Sequence, residues 1–577
     1  MNSVSWNMLF QVALRSLSTK DRGFVIRVSP LKILDERSCH FVSGYEDAFK
    51  RLESLSRKTS LIERYTGGRF KFHDLFRDFL LTRLEEHPRL KINCYLKAAQ
   101  YCETEANWQD AIDSYMKVAA YAEATRILKT QSENFYNSGM LNTLDNWLNE
   151  LLGGLQQAPS WLFLLKAQVL EITGNRDGAL KFAILAREQD KRDGNMLGLA
   201  SALNRVGMIY LRLRWYNSAR ESFEEALDIR KKLGDANGEA QVLGNLGDLL
   251  WLTGKYQEAE KFLRRAVDIN QQSSDLVANA ISLSLLAKTQ RSLGKYDDAL
   301  TLFQRALEYN EQVGNLRGQN ICETFIGDIH HFRGEFDQAN KLYESALQGS
   351  IQIGNKLGIA IAYKGLAQVL EIKGNYGGAL DYCDKAFVLN DEIGDQRGKA
   401  IIYNLKSRIL IALQDFDTAI GLANVALETL QTIDDIPETI QSQIVLGEAY
   451  CAKGDYATAK SWAEKAKELA RSISEKHKLA SASKVLGIIA TKQSHFSEGI
   501  QWLDTSATLL QEMNAKYDLA SVNFELAKAY LGQDDLSQAR KYLQRTVQVA
   551  QEEGFEIILS QALEWETLIN RGENPTG

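Results

Sequence analysis

The sequence predicts an all-α protein, a right-handed superhelical solenoid of about ten 40-residue helix-turn-helix repeats behind a small domain with a β-hairpin. Three observations predict it. The stretch Gly254 to Ala266, GKYQEAEKFLRRA, returns as Gly294 to Ala306, GKYDDALTLFQRA, and as Gly334 to Ala346, GEFDQANKLYESA. Aromatics recur every 40 residues at Tyr216, Tyr256, Tyr296, Phe336, Tyr376, Phe416, Tyr456 and Phe496. Small residues keep phase with them: Ala219 through Ala459 and then Gly499, and Ala226 through Ala466 and then Ser506. A small residue where two helices cross lets their backbones approach, and the aromatic seals the turn. Self-similarity at such a period marks stacked helix pairs.

Composition narrows the function classes. The chain has 577 residues, 45% hydrophobic and 25% charged, which is globular. A solenoid grows without new cores, so this length needs no further domains. The net charge of -6 implies no general affinity for nucleic acids or anionic membranes. Cys39, Cys94, Cys102, Cys322, Cys383 and Cys451 form no CxxC and read as reduced core thiols of a cytoplasmic protein. No apolar run approaches the ~18 residues of a membrane span, and the N-terminus shows no secretory signal. Five prolines in the chain suit nearly continuous helix.

Residues 1–90 read as the small domain. Three short helices are expected, over WNMLFQVALRSL, FVIRVSPLKIL and DERSCHFV, then an amphipathic helix over 45–57 with Ala48, Leu52 and Leu55 on one face. Leu61 to Tyr65 and Arg69 to Phe72 are β-type runs joined at Thr66-Gly67-Gly68, and Asp74 is placed to cap a helix from Leu75 to Glu85. Residues 91–158 read as irregular helical hairpins, with Ala98, Trp108, Ala111 and Ala119 giving a degenerate form of the repeat.

FVIRVSPLKILDERSCHFVSG, the hairpin, and FKFHDLFRDFLLTRL resemble the winged-helix segment of STAND-type signalling ATPases, in particular the MalT-like bacterial transcription regulators. In that family the winged helix follows a P-loop NTPase and precedes a tetratricopeptide sensor arm. The likeness covers roughly residues 20–155. FHDL also resembles the MHD motif of related switches, and the resemblance implies that His73 would contact a nucleotide, with Asp74 beside it. The chain departs from the family in having no GxxxxGK[ST]. It reads as a truncated or split relative, or one without its motor. Any ATP or ADP would come through an NTPase-bearing polypeptide, and the chain itself calls for no cofactor. The alternative for His73 and Asp74 is a strand end and a helix cap.

The array spans 159–552, and 553–577 read as a cap helix, Phe555 to Ile569, with a frayed tail. Turns within pairs are expected at Gly174, Arg214, Gly254, Gly294, Gly334, Gly374, Gln414, Gly454, Ser494 and Asp534. Turns between pairs fall at Gly194, Gly234, Gly314, Gly354 and Gly394, with Ser274 and Asp434 as polar substitutes. The pattern in LGNLGDLLWLTGKYQEAEKFLRRAV is that of tetratricopeptide (TPR) repeats, in a lengthened 40-residue form.

No constellation for catalysis appears. His330 and His331 are adjacent on a helix and diverge by about 100°, so they form no two-histidine metal face. The chain is read as no enzyme and as holding no metal. By resemblance to TPR proteins, the first helix of each pair lines a concave groove. The lining positions include Asn204, Arg212, Asp248, Trp251, Lys288, Arg291, Asp328, His331, Lys364, Gln368, Glu371, Asn404, Arg408, Glu448, Lys484 and Lys528. They vary while the packing positions hold, as in a groove reading a protein or peptide. Trp251 would anchor a ligand or else pack between helices. The expected function is the effector-binding sensor module of a STAND-type signal-transduction or transcription regulator. The alternative is a stand-alone TPR adaptor. Neither reading calls for direct nucleic-acid or membrane contact.

Overall fold

A computed structural model describes residues 3–138 and 140–571. The expected tail after Arg571 lies outside the described residues. The chain forms two compact units, Met1–Ala202 and Leu203–Gly577, and the division falls inside one helix.

The first unit opens with α1 (Ser3–Ser16), α2 (Thr19–Val28), α3 (Glu36–Ser43) and α4 (Ala48–Lys58). Strands β1 (Ile62–Arg64) and β2 (Phe70–Phe72) and helix α5 (Asp74–Glu85) complete a winged helix. The strands are antiparallel, with Glu63 opposite Lys71. The expected helix over FVIRVSPLKIL is corrected: it stops at Val28, because Pro30 cannot continue it. Leu34 instead exchanges both backbone hydrogen bonds with Phe70, each 2.8 Å, and adds a third rung to the wing. Leu34, Leu52, Phe70, Phe72 and Leu80 are buried together beneath it. Arg77 ties α5 to the Ser29-Pro30 turn by donating to both carbonyls, each at 3.0 Å.

Four further helices follow: α6 (Pro88–Thr104), α7 (Trp108–Met116), α8 (Tyr121–Asn137) and α9 (Leu141–Gly154). Ala98 and Ala111 are buried as expected, but Ala119 is an exposed turn residue with φ 54°.

Ten helix pairs then run without insertion. Repeats 1 to 3 are Ser160–Ile172 with Arg176–Asp193, Met196–Arg212 with Tyr216–Leu233, and Ala236–Leu252 with Tyr256–Gln271. Repeats 4 to 6 are Leu276–Ser292 with Tyr296–Gln312, Leu316–Arg333 with Phe336–Gln352, and Lys356–Ile372 with Tyr376–Glu392. Repeats 7 and 8 are Gln396–Ala412 with Phe416–Thr432 and Ile436–Lys453 with Tyr456–Ser472. Repeats 9 and 10 are Lys476–Lys492 with Phe496–Glu512 and Lys516–Gly532 with Leu536–Glu553, before a cap helix, Glu556–Asn570. The phase alanines are fully buried, and at Gly247 a Cβ would come within 2.4 Å of Leu263. Ser506, standing where others have alanine, donates to the Ala480 carbonyl at 2.8 Å and so links the two helices of its pair.

All ten turns within pairs have left-handed φ, from 62° to 92°, including the non-glycines Arg214, Gln414, Ser494 and Asp534. The turn at Ser274 falls where expected but without positive φ. Its helix ends early at Gln271, where the Ser273 hydroxyl donates to the Asn270 carbonyl at 2.9 Å.

Within the second unit the superhelix meets itself. A Cβ added to Gly254 would lie 2.7 Å from Ile473, one on Gly294 3.2 Å from Met513, one on Gly334 2.5 Å from Phe555, and one on Gly374 3.0 Å from Ile557. Turns within repeats 3 to 6 therefore pack on turns about five and a half repeats later, and on the cap helix. Phe336, Tyr517 and Phe555 cluster with ring centroids 5.1 to 5.6 Å apart. Phe332 stacks on Tyr296 at 3.9 Å and receives the edge of His477 at 4.8 Å. We call this contact the seam.

Candidate functional site

The first helix of each pair repeats one face at intervals of three and four residues, so side chains 36 to 41 apart in sequence become neighbours on adjacent helices. On this inner face the expected lining residues largely find one another. Lys288 donates to Asp248 at 3.1 Å. Arg291 donates to Asp328 at 3.0 Å, and Lys364 lies 3.5 Å from the same carboxylate, which also accepts from the Tyr343 hydroxyl at 2.8 Å. Arg408 donates through both Nε and Nη2 to Glu371, the first at 2.9 Å. Lys484 donates to the Ser521 hydroxyl at 2.8 Å. Oppositely charged side chains thus meet between neighbouring helices along the inner face.

Burial and pairing set the proton affinities. Burial pushes the Lys288 ammonium down. Burial works against the Asp328 carboxylate, but Lys364 and Arg291 hold it below the usual range. Glu371 keeps Arg408 above its ordinary value despite burial. Glu448 is pushed up by burial and by nearby Glu371 and Asp518, which outweigh Lys484 and Arg408. Burial pushes His331 down to about 4 against the pull of Asp328. The His331 Nε2 is fully enclosed and has no hydrogen-bond partner among the described residues.

Trp251 takes the packing alternative. It is 9% exposed, its indole N–H donates to Ser292 at 2.9 Å, and the Lys288 ammonium sits 3.4 Å from its ring centroid. It packs between helices and carries a cation on its face. Asn204 and Asn404 are buried, and each bonds an amide or hydroxyl on the next first helix: Asn245 at 2.8 Å and Ser442 at 2.9 Å. The Asn404 carbonyl oxygen has no partner among the described residues. Gln368 lies half-buried on the first helix of repeat 6, and Arg212 sits in the last turn of its helix in repeat 2. Lys528 donates to Glu525 at 2.7 Å and lies 4.2 Å from the Phe524 ring centroid.

Residues at the start of first helices, not singled out from the sequence, pair with the next repeat. Arg397 donates to Asp435 at 2.7 Å and to Glu438 at 3.1 Å. The His477 Nε2 is 3.1 Å from the Asp518 carboxylate, which that contact holds at about 2 although burial opposes it. Asp518 also faces His331 from the other side of the seam. Local spacing carries no signal for a partner five repeats away. Outside this face, a cleft of about 540 Å³ is lined by Lys231, Glu239, Leu243, Lys261, Phe262 and Arg265.

His73 is at the surface of the first unit. It stands at the N-cap of α5, its N–H donating to the Leu61 carbonyl at 2.9 Å, and its imidazole makes no cap bond. The expected cap is corrected: Asp74 is the first helical residue, and its carboxylate lies 2.9 Å from Lys71. The helix follows a strand that fixes the His73 backbone, so no side-chain cap is needed to start it. Among the described residues, no group of three or more His, Cys, Asp or Glu could hold a metal ion, and no helix is long and apolar enough to cross a membrane. The cysteines are all free, five of them buried.

Residues 11–91 match the MalT winged helix domain and residues 315–564 the MalT-like TPR region, while 198–272, 238–312 and 277–352 match tetratricopeptide repeats. The HTH-type transcriptional regulator MalT of Vibrio campbellii is 26% identical over 206 residues, 34% of this chain and 23% of that protein. MalT of Vibrio parahaemolyticus is 27% identical over 165 residues, 28% of this chain and 18% of that protein. The match thus spans less than a quarter of the length of these curated relatives. A Signal Transduction ATPase with Numerous Domains (STAND) protein with a tetratricopeptide repeat sensor, from Pyrococcus horikoshii, superposes with TM-score 0.55 at 15% identity, covering 76% of this chain and 67% of that one. The chain carries the winged helix and the TPR region of MalT-like regulators.

Proposed function

We propose that this chain is the sensor part of a STAND-type signal-transduction or transcription regulator and is not itself catalytic. The inner face of the array reads a protein, peptide or small effector, and the winged helix passes the bound state to an NTPase module, through which any ATP or ADP acts. The observation that carries the reading is the inner face itself. Packing positions stay alanine or glycine from repeat to repeat, while the lining changes among Asn404, Gln368, His331, Lys364 and Glu448. A face that served only to hold the array together would have no reason to vary.

The full chain should be screened by thermal shift against peptide and small-effector libraries. A ligand that raises Tm for the wild type but not for Gln368→Ala or Asn404→Ala supports the inner face. A ligand unaffected by those changes but lost in Lys261→Glu/Arg265→Glu moves the site to the outer cleft and overturns the reading. The relay is tested by purifying the chain from its source at native abundance. An NTPase-bearing polypeptide should be recovered, and its absence under conditions that preserve ligand binding favours a free-standing adaptor.

A further inference from the structure

The seam is specified residue by residue. Left-handed turns tolerate Arg214, Gln414, Ser494 and Asp534 elsewhere, yet all four turns at the seam are glycine, where a side chain would strike the opposite turn. Asn315, Asn355 and Asp435 cap their first helices with side-chain hydrogen bonds and Asp395 does not, while Ala515 and Phe555 at the seam have no side-chain acceptor with which to do so. Ile473 and Met513 are 8% and 3% exposed, but Val313, Ile353 and Ile393, at the same position in earlier repeats off the seam, are 39 to 40% exposed.

The seam also carries titratable groups. The seam contains the buried Glu475 carboxyl near Tyr256, and His477 against both Phe332 and Asp518. Charged groups in an interface cost desolvation when it closes and regain water when it opens. Parting it leaves every repeat packed on its neighbours, and it exposes Ile473, Met513 and the rings of Phe336, Tyr517 and Phe555.

We propose that the seam is a latch that closes the inner face, and that it parts as a body to admit a ligand to the lining residues. The proposal rests on the reading that the inner face binds one. In the closed state the His331 Nε2 is sealed, with Asp518 contributed from across the seam.

The test uses the full chain and diethyl pyrocarbonate, which acylates an accessible neutral imidazole nitrogen and releases ethanol and carbon dioxide. Modification of His331 is followed by peptide mass spectrometry at pH 7. In Ile473→Asp/Phe555→Asp the rate should rise about tenfold or more, the scattering radius should grow, and far-UV circular dichroism should hold, as for a sub-global opening. Val313→Asp/Ile393→Asp, matched in chemistry but off the seam, should change none of these. An unchanged His331 rate in the seam variant, or a cooperative loss of helicity, overturns the latch. In the wild type, native-state hydrogen exchange should show the amides of the Gly254, Gly294 and Gly334 turns opening together below the global unfolding free energy. Exchange only by global unfolding overturns it as well. Because the probe is not the effector, failure to find an effector leaves these results standing.

Discussion

His331 shows how one side chain couples the inner face to pH. Its folded pKa of about 4 is far below the ordinary 6.5, so the folded state binds fewer protons than the unfolded chain between those values. Its neutral form favours folding above pH 6.5, and that contribution is lost as pH falls towards 4, by at most about 3 kcal/mol. The groups that face it are Asp328, Lys364, Arg408 and Asp518. Glu448 and Glu475 act in the opposite sense, since raised carboxyls favour the folded state as they protonate. Comparison with His331→Gln isolates the histidine: the wild type should lose more stability to urea between pH 7 and 4.5 than the variant. Equal pH dependence would place the imidazole in water. The sequence identified His331 as a lining residue through its place on a first helix. Its enclosure was illegible, because Asp518 lies about 190 residues away along the chain.

At the scale of the turn, two glycines separate backbone strain from contact. Gly314→Ala meets only the cost of a left-handed alanine, about 1 kcal/mol, because no atom lies within 4 Å of its Cβ. Gly334→Ala adds a methyl within 2.5 Å of the Phe555 ring and should lose a further ~1–3 kcal/mol by overpacking. Chemical denaturation of the two variants reads the difference directly, and equal losses would mean the seam contributes nothing. Ala515→Asp gives the complementary case. It restores a cap worth about 1 kcal/mol, yet places a carboxylate at a fully buried site, so a net loss is expected. The helix pairs themselves are legible from phase alone, since the aromatic recurs through eight repeats with the two small residues in step. What misled was chemistry that looked local: Asp74 before Leu75 has the composition of a cap, but β2 had already fixed the backbone at His73. Similarly, Leu34 sits in an apolar run of helical look, and only the wing supplies the Phe70 it pairs with.

Over the whole molecule, a linear array should unfold as a sum of neighbouring repeats. The seam adds coupling between repeats that are not neighbours. Ile473→Asp should therefore loosen repeats 3 and 4 as well as repeat 8, and hydrogen exchange along the chain should show two separated patches of lost protection. A single patch around residue 473 would restore the linear description. The sequence predicts a concave groove whose lining reads a partner. Periodicity showed which residues share the inner face but not that they pair with each other, since Arg291 and Asp328, or Glu371 and Arg408, each look like unmatched charges within their own helix.

Ring closure makes the count of repeats a discrete quantity, like teeth between two points on a gear. Removing repeat 7, residues 396–435, leaves every neighbouring joint able to re-form, because each repeat offers the same docking surfaces. But it slides each seam glycine on by one tooth, so that Gly254 would face Met513 and Gly374 would face nothing. Removing the first pair, 160–193, slides none of them. A gene that duplicates or drops repeats can therefore vary freely outside the span from Gly254 to Phe555, while inside that span each change re-indexes the whole contact at once.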